Sequence, residues 1–279
     1  MFSHALPLLK PQSAGLRRKL LLLIYFILAF GITWAVWIPQ ASGVIVPGIL
    51  TVVAGFGPSI AGLILIYFDE GKEGLHNTAY RLISNGRFLW KWMLLCVVAP
   101  VLCFLLGLAF YYLLCGEIPQ LVDPAHVVTS PGQWYLGVLV FLYIFIFSAL
   151  GEEIGWRGYA LPRLLIDWGS LRASLILGIC WFIWHLPLFW IAGNFHQQLP
   201  WTWFFLQIMG MSLLYTWFYH RTQGNLFIAM LFHTSGNAAV GLLPVLPADV
   251  QGSTLPLWIT VILLWVIVAI ILYRRSLDS

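Results

Sequence analysis

Eight long apolar segments run along the chain, and the lysines and arginines lie around alternate gaps between them. The segments cover residues 20–38, 46–68, 91–114, 134–151, 171–191, 201–219, 226–243 and 257–273. The chain has 14 basic residues, and four of them precede the first segment. Four more follow the second segment, three follow the fourth, one follows the sixth and two follow the eighth. A helix that spans a bilayer needs about 20 mostly apolar residues. The sequence therefore predicts an all-α fold, a polytopic transmembrane bundle of about eight helices.

The charge pattern also predicts an orientation. Cytoplasmic loops are enriched in Lys and Arg, so both termini are expected in the cytoplasm. Because one helical bundle is expected, residues 1–279 are expected to form a single integral membrane domain. Only 9% of the residues are charged, against about 25% in soluble domains. The lipid bilayer is therefore the expected partner, and the plasma (inner) membrane the expected location if the source is bacterial. No long basic run or acidic tail points to nucleic acid.

Two adjacent glutamates, Glu152 and Glu153, lie at the end of the fourth segment, although the chain has only 10 acidic residues. Ionisable residues in membrane segments are rare and usually functional. Glu153 and Arg157 are four residues apart and share a helix face, so they can form an ion pair. Glu152 points about 100° away and is free to take a proton from water. A solvated helix end is the alternative interpretation.

Polar residues also occur in two other apolar segments. The fifth segment contains His185, and the seventh contains His233 and Asn237, which are four apart and share a face. Taken alone, His185 would most often form a hydrogen bond between helices. Taken alone, the pair on the seventh segment would likewise form polar contacts between helices. Because three separate segments contribute such residues, we expect them to meet in one pocket with Glu152.

Depth in the membrane gives a check on this pocket. His185 is 13 residues beyond Arg172 and His233 is 12 beyond Arg221, which places both about 18–20 Å along their helices from the cytoplasmic edge. Glu152 reaches a similar depth only if Arg157 is internal and the edge lies at Arg163. The sequence therefore predicts that Arg157 is buried against Glu153.

These residues resemble the motifs of the CAAX-processing and bacteriocin-processing intramembrane protease family, also called the Abi family. The motif EExxxR is matched by Glu152, Glu153 and Arg157, and the motif HxxxN by His233 and Asn237. The motif FxxxH is matched at His185, but Trp181 stands where the motif has phenylalanine. The resemblance covers a core of residues 134–243 and implies an enzyme like the type II CAAX prenyl endopeptidases.

The resemblance implies an endopeptidase in which Glu152 activates a water that His185 and His233 hold. Asn237 would help to stabilise the oxyanion, while Glu153 and Arg157 support the site. His185 and His233 could alternatively bind a metal, and two histidines and a glutamate would suit zinc with an open water position. Glu152 could then not easily serve as both ligand and free base, so we favour Glu152 as base and leave the metal open. The expected substrate is a membrane-associated peptide or protein, processed at a CAAX-type C-terminus or at a leader peptide.

Two other functions are compatible with buried carboxylates and imidazoles. One is a transporter in which they form a proton relay, and the other is a non-catalytic membrane scaffold. The sequence has no clear internal repeat and no matching pair of broken helices in two halves, which many transporters have. The four cysteines form no CxxC or Cys/His pattern, so they predict no metal centre.

Overall fold

The computed structural model describes residues 15–83, 89–121 and 131–277, and all regular elements within these ranges are helical. The predicted all-α class is thereby confirmed. The α-helices are α1 Gly15–Ala41, α2 Gly48–Ala54, α3 Gly57–Ile83, α4 Leu89–Cys115, α5 Trp134–Ile144, α6 Leu150–Glu153, α7 Leu161–His185, α8 Trp201–Arg221, α9 Leu226–Leu242 and α10 Leu255–Leu277. Short 3₁₀ helices at Pro131–Gln133, Leu186–Trp190, Phe195–Gln198 and Pro247–Val250 complete the described elements.

The helices support a multi-pass integral membrane protein. In the described ranges, four helical stretches are long and apolar enough to cross a membrane, or five if the bent pair α2 and α3 forms one span. One of the four, Trp134–Trp190, is 57 residues long and covers the fourth predicted segment and all but the last residue of the fifth. α9 is apolar but shorter than a usual span. The count of eight spans and the cytoplasmic termini stay predictions.

The fourth predicted segment does not end where the sequence suggested. The helical path continues past residue 151 through Arg157 and Arg163, and it breaks only at Gly169, where φ is 68° and ψ is 176°. Such a positive φ is accessible to glycine without the steric clash that a Cβ would cause. The boundary at residue 151 was wrong because charged residues were taken to mark the end of the segment.

Two π-helical segments flank α6 and widen the helix around the glutamates. The first π segment is Phe145–Ala149 and the second π segment is Ile154–Ala160. π-helical turns are rare and frequently occur at functional sites. The path from α5 to α7 is thus irregular around Glu152 and Glu153.

The second π segment packs closely on α3. A Cβ built on Gly155 would lie 2.2 Å from the carbonyl oxygen of Pro58, and one built on Gly62 would lie 3.1 Å from the Cα of Gly155. Small residues let helix backbones approach in this way in membrane proteins. The backbone that carries the glutamates therefore lies directly against α3.

Arg81, near the end of α3, connects the second π segment to the turn before α9. Its Nη2 and Nη1 donate to the carbonyl oxygens of Arg157 and Gly158 at 3.2 Å each, and its Nε donates to the carbonyl oxygen of Gly224 at 2.9 Å. A single guanidinium thus bonds three backbone carbonyls from two separate parts of the chain. These contacts hold the helix that carries Glu152 beside the helix that carries His233.

Candidate active site

Glu152 lies on α6 with its side chain almost entirely buried. Its Oε2 accepts a hydrogen bond from the indole Nε1 of Trp181 at 2.6 Å. Its Oε1 lies 3.8 Å from the Nε2 of His233, which is too far for a direct hydrogen bond. One carboxylate oxygen is therefore held by Trp181, while the other faces an imidazole across a short gap.

Glu153 and Arg157 form a buried ion pair, as the spacing predicts. Their side chains are 0% and 1% exposed, and the Nη1 of Arg157 donates to the Oε1 of Glu153 at 2.8 Å. The guanidinium carbon lies 4.3 Å from the ring centroid of Trp181 and 3.7 Å from that of Tyr215. Cation–π contact with these rings stabilises the buried charge. Arg157 is thus internal, at the position that the depth argument requires.

His233 on α9 is held by contacts on both ring nitrogens. Its Nδ1 lies 2.8 Å from the Oε1 of Glu153, and since a carboxylate only accepts, Nδ1–H donates to it. Its Nε2 lies 3.2 Å from the Oγ of Ser148. The sequence assigned Glu153 to Arg157 alone, whereas the structure shares the same oxygen between Arg157 and His233.

Ser148, in the first π segment, is a site residue that the sequence reasoning missed. Its Oγ also accepts a hydrogen bond of 3.4 Å from the Nδ2 of Asn237. The hydroxyl therefore lies between the two polar residues of α9. Ser148 is the only polar side chain from Phe145 to Gly151 and precedes Glu152 by one turn, which is the signal that could have identified it.

His185 ends α7 and is placed by its own helix. Its Nδ1 lies 2.8 Å from the carbonyl oxygen of Trp181 and donates to it, so Nε2 is the nitrogen left for other contacts. The ring packs edge-on against Trp184 and Phe204, at centroid distances of 4.7 and 5.3 Å. No hydrogen bond among the described residues joins His185 to Glu152 or His233.

One cavity of about 320 Å³ connects these residues. Glu152, His185, His233 and Asn237 all line it, together with Ser148. The rest of its wall is mainly apolar and includes the residues Trp37, Phe104, Tyr143, Phe147, Leu188, Phe195, Trp203, Ile208 and Val240. Small-molecule and cofactor sites typically combine such a wall with a few placed polar groups. The cavity is therefore large enough for part of a peptide and brings the predicted site residues to one wall-lined space.

A third histidine, His196, also lines the cavity, although its position in a loop gave no reason to assign it a role. Its Nδ1 lies 2.7 Å from the Oδ1 of Asn194, and its ring centroid lies 5.8 Å from that of His185. Burial lowers the pKa of the His196 imidazole well below its usual value, and nearby His185 lowers it further. His196 is therefore neutral at neutral pH and contributes no charge to the cavity.

The two histidines and the glutamate were also expected to suit zinc. In the part of the chain that the structure describes, no three His, Cys, Asp or Glu side chains are arranged so that they could hold a metal ion. A catalytic zinc site usually has three protein ligands, and here the Oε2 of Glu152 is bound to Trp181. As placed, these side chains do not fit a resident zinc.

The fold and the cavity together define a class: a helical membrane protein with a carboxylate and imidazoles enclosed in an apolar interior. Comparison with known proteins shows what the chain is similar to. Residues 133–239 match the family of type II CAAX prenyl endopeptidases described as Rce1-like. CAAX prenyl protease 2 of Methanococcus maripaludis is 25% identical over 229 residues, which are 75% of this chain and 80% of that protein.

These similarities confirm the resemblance that the motifs indicated. The matched region contains all three motifs, from Glu152 to Asn237. It also contains Ser148 and Trp181, the two further contacts of the site. The comparisons therefore support a membrane-embedded protease.

Proposed function

We propose that the protein is an intramembrane endopeptidase in which Glu152 is the general base for an attacking water. The observation that carries this proposal is the gap of 3.8 Å between the Oε1 of Glu152 and the Nε2 of His233, inside a largely apolar cavity. A water placed in this gap can reach both atoms within hydrogen-bond distance. General acid–base catalysis of this kind contributes about 10²–10⁴-fold to a rate.

The proposed reaction uses one proton and one water. The Oε1 of Glu152 takes a proton from the water, whose oxygen attacks the carbonyl carbon of the scissile peptide bond. The same carboxyl group then gives the proton to the leaving nitrogen as the carbon–nitrogen bond breaks. His185 and His233 orient the water before it attacks.

Asn237 is proposed to stabilise the oxyanion of the tetrahedral intermediate. A primary amide nitrogen has two hydrogens, and only one of those on Nδ2 is used in the bond of 3.4 Å to Ser148. The second N–H can therefore point into the cavity. A placed donor of this type typically contributes about 10²–10³-fold in kcat.

The proposed substrate class is a CAAX-type C-terminal peptide attached to the membrane by a prenyl group. The name of the relative in Methanococcus maripaludis specifies CAAX prenyl protease activity for that protein. The apolar and aromatic wall of the cavity is compatible with a lipid-linked substrate, because such a wall binds apolar chains better than charged ones. Processing of a leader peptide would use the same chemistry on a substrate without a prenyl group.

The test is cleavage of a fluorescence-quenched, prenylated CAAX peptide by the purified protein in proteoliposomes. We expect the wild type to cleave it faster than the same peptide without the prenyl group, and Glu152→Gln to lose about 10²–10⁴-fold in rate. Glu73→Gln is the matched control, since Glu73 is an exposed glutamate on α3. Its rate should equal that of the wild type.

Other results would contradict the proposal in distinct ways. Proton flux that depends on Glu152, without cleavage, would indicate the transporter. Peptide binding without cleavage would indicate the scaffold. Cleavage of a leader peptide in preference to the prenylated peptide would keep the endopeptidase and replace the substrate class.

A further inference from the structure

We infer that Trp181 is a positioning residue for the proposed base: its indole N–H holds the Oε2 of Glu152, so that Oε1 is the oxygen presented to the cavity. The inference rests on the proposed function, because it concerns the base of that reaction. The N–H donates to the carboxylate at 2.6 Å. Both side chains are buried, at 5% exposure each.

Trp181 anchors two of the proposed site residues at once. Its side chain binds Glu152, and its backbone carbonyl oxygen accepts from the Nδ1 of His185 at 2.8 Å. The indole and the imidazole lie one turn apart on α7. A shift of Trp181 would therefore displace the proposed base and one of the groups that orient the water together.

The indole ring is itself fixed by its neighbours. The guanidinium of Arg157 lies over it, 4.3 Å from the ring centroid. The rings of Tyr215 and His233 contact it edge-on, each at a centroid distance of 5.8 Å. With these groups around it, the indole cannot rotate its N–H away from Glu152 without moving the buried ion pair.

This contact matters because the two oxygens of a carboxylate are chemically equivalent. The last torsion of a glutamate side chain is soft, so without a partner either oxygen could face the cavity. The indole N–H removes this freedom. A phenylalanine, which the family motif has at this position, would keep an aromatic ring but could not donate the hydrogen bond.

The test compares the wild type with Trp181→Phe and with a variant carrying 3-benzothienylalanine at position 181. This amino acid keeps the bicyclic shape of tryptophan but has sulfur in place of the N–H. For both variants we expect kcat on the prenylated peptide to fall about tenfold to hundredfold, which is typical of a misplaced catalytic group. KM should be unchanged, and for the 3-benzothienylalanine variant the unfolding temperature should be unchanged too, because the bicyclic shape is kept.

The matched control carries 3-benzothienylalanine at position 156. Trp156 is buried, with 0% exposure, and its Nε1 has no hydrogen-bond partner among the described residues. Removing this N–H breaks no hydrogen bond with those residues, so kcat, KM and the unfolding temperature should match the wild type.

Two results would overturn the inference alone. One is an unchanged kcat with 3-benzothienylalanine at position 181. The other is a fall in kcat with a raised KM and a lower unfolding temperature, which indicates a packing role only. A wild type that cleaves no peptide would remove the proposed function, and this inference with it.

Discussion

Two clusters of charged residues lie along the helix that runs from α5 into α7, and they differ in their balance of charge. The outer cluster has three arginines and three acids, namely Arg17, Arg18, Arg163, Asp69, Glu70 and Asp167, and each arginine contacts at least one acid. The inner cluster is Glu152, Glu153, Arg157 and His233, with two carboxylates and one arginine.

The difference in charge balance distinguishes ion pairs that only stabilise the fold from side chains that are available for chemistry. In the outer cluster, the Arg18–Asp167 pair joins α1 to α7, and Arg163 joins α7 to α3 through Glu70 at 2.5 Å. In the inner cluster, the arginine is already paired with Glu153. Glu152 is then the carboxylate of the inner cluster that has no arginine as its partner, and this is the property that a general base needs.

The largest effect is expected when the inner pair is broken. Glu153→Gln leaves the buried guanidinium of Arg157 without its counter-charge and weakens the bond to His233. Removal of one partner of a buried ion pair typically destabilises a protein by about 3–5 kcal/mol. The measurement is thermal unfolding in detergent, with Glu152→Gln as the control that should change stability far less. Equal destabilisation by both substitutions would contradict the distinction between the two glutamates.

A smaller effect is expected at Ser148. Ser148→Ala removes the hydroxyl that contacts both His233 and Asn237, so both groups gain freedom to move from the positions that the reaction needs. We expect kcat to fall about tenfold, which corresponds to about 1.4 kcal/mol of transition-state energy, with little change in stability. Ser170→Ala is a suitable control, because Ser170 contacts the exposed His220 ring outside this cavity. A Ser148→Ala variant as active as the wild type would show that the hydroxyl does not position these residues.

A still smaller effect is expected in the outer cluster. Asp167→Asn removes the ion pair with Arg18. The side chain of Asp167 is 11% exposed and that of Arg18 is 16% exposed. Partly exposed pairs contribute about 1 kcal/mol or less, so the unfolding temperature should fall slightly and the cleavage rate should not change. Unfolding and activity are measured on the same preparation. A loss of activity at unchanged stability would mean that the outer cluster takes part in catalysis.

No effect is expected from metal removal. The proposed reaction uses only Glu152, the two histidines and Asn237, so prolonged treatment with a chelator should leave the rate of peptide cleavage unchanged. The check is a rate measured before and after chelation, with metal content determined on the same sample. Loss of activity that added zinc restores would replace the glutamate mechanism with a metal-dependent one.

The sequence predicted those parts of the molecule that depend on local spacing. Helices could be located because a bilayer requires long apolar segments, and the Glu153–Arg157 pair follows from a separation of four residues. The end of the fourth segment was misplaced because apolar content alone cannot show that the charge of Arg157 is covered by the rings of Trp181 and Tyr215. That covering is a tertiary effect.

The contacts of the candidate site were harder to predict for the same reason. The bond from Trp181 to Glu152 joins residues that are 29 apart, and the bond from His233 to Glu153 joins residues that are 80 apart. Neither follows from helical periodicity, and the widened turns of the two π segments change which side chains share a face. The motifs thus named the principal residues, but not the hydrogen bonds that orient them.

The contacts of Arg81 have a mechanical consequence. Because one guanidinium bonds the backbone at Arg157 and Gly158 and also the backbone at Gly224, the helix bearing the acid and the helix bearing the imidazole share an anchor on α3. A tilt of α3, such as a thinner bilayer would favour, would carry both helices along as one unit. The distance between the Glu152 carboxylate and the His233 imidazole would then stay the same when the thickness of the surrounding bilayer changes.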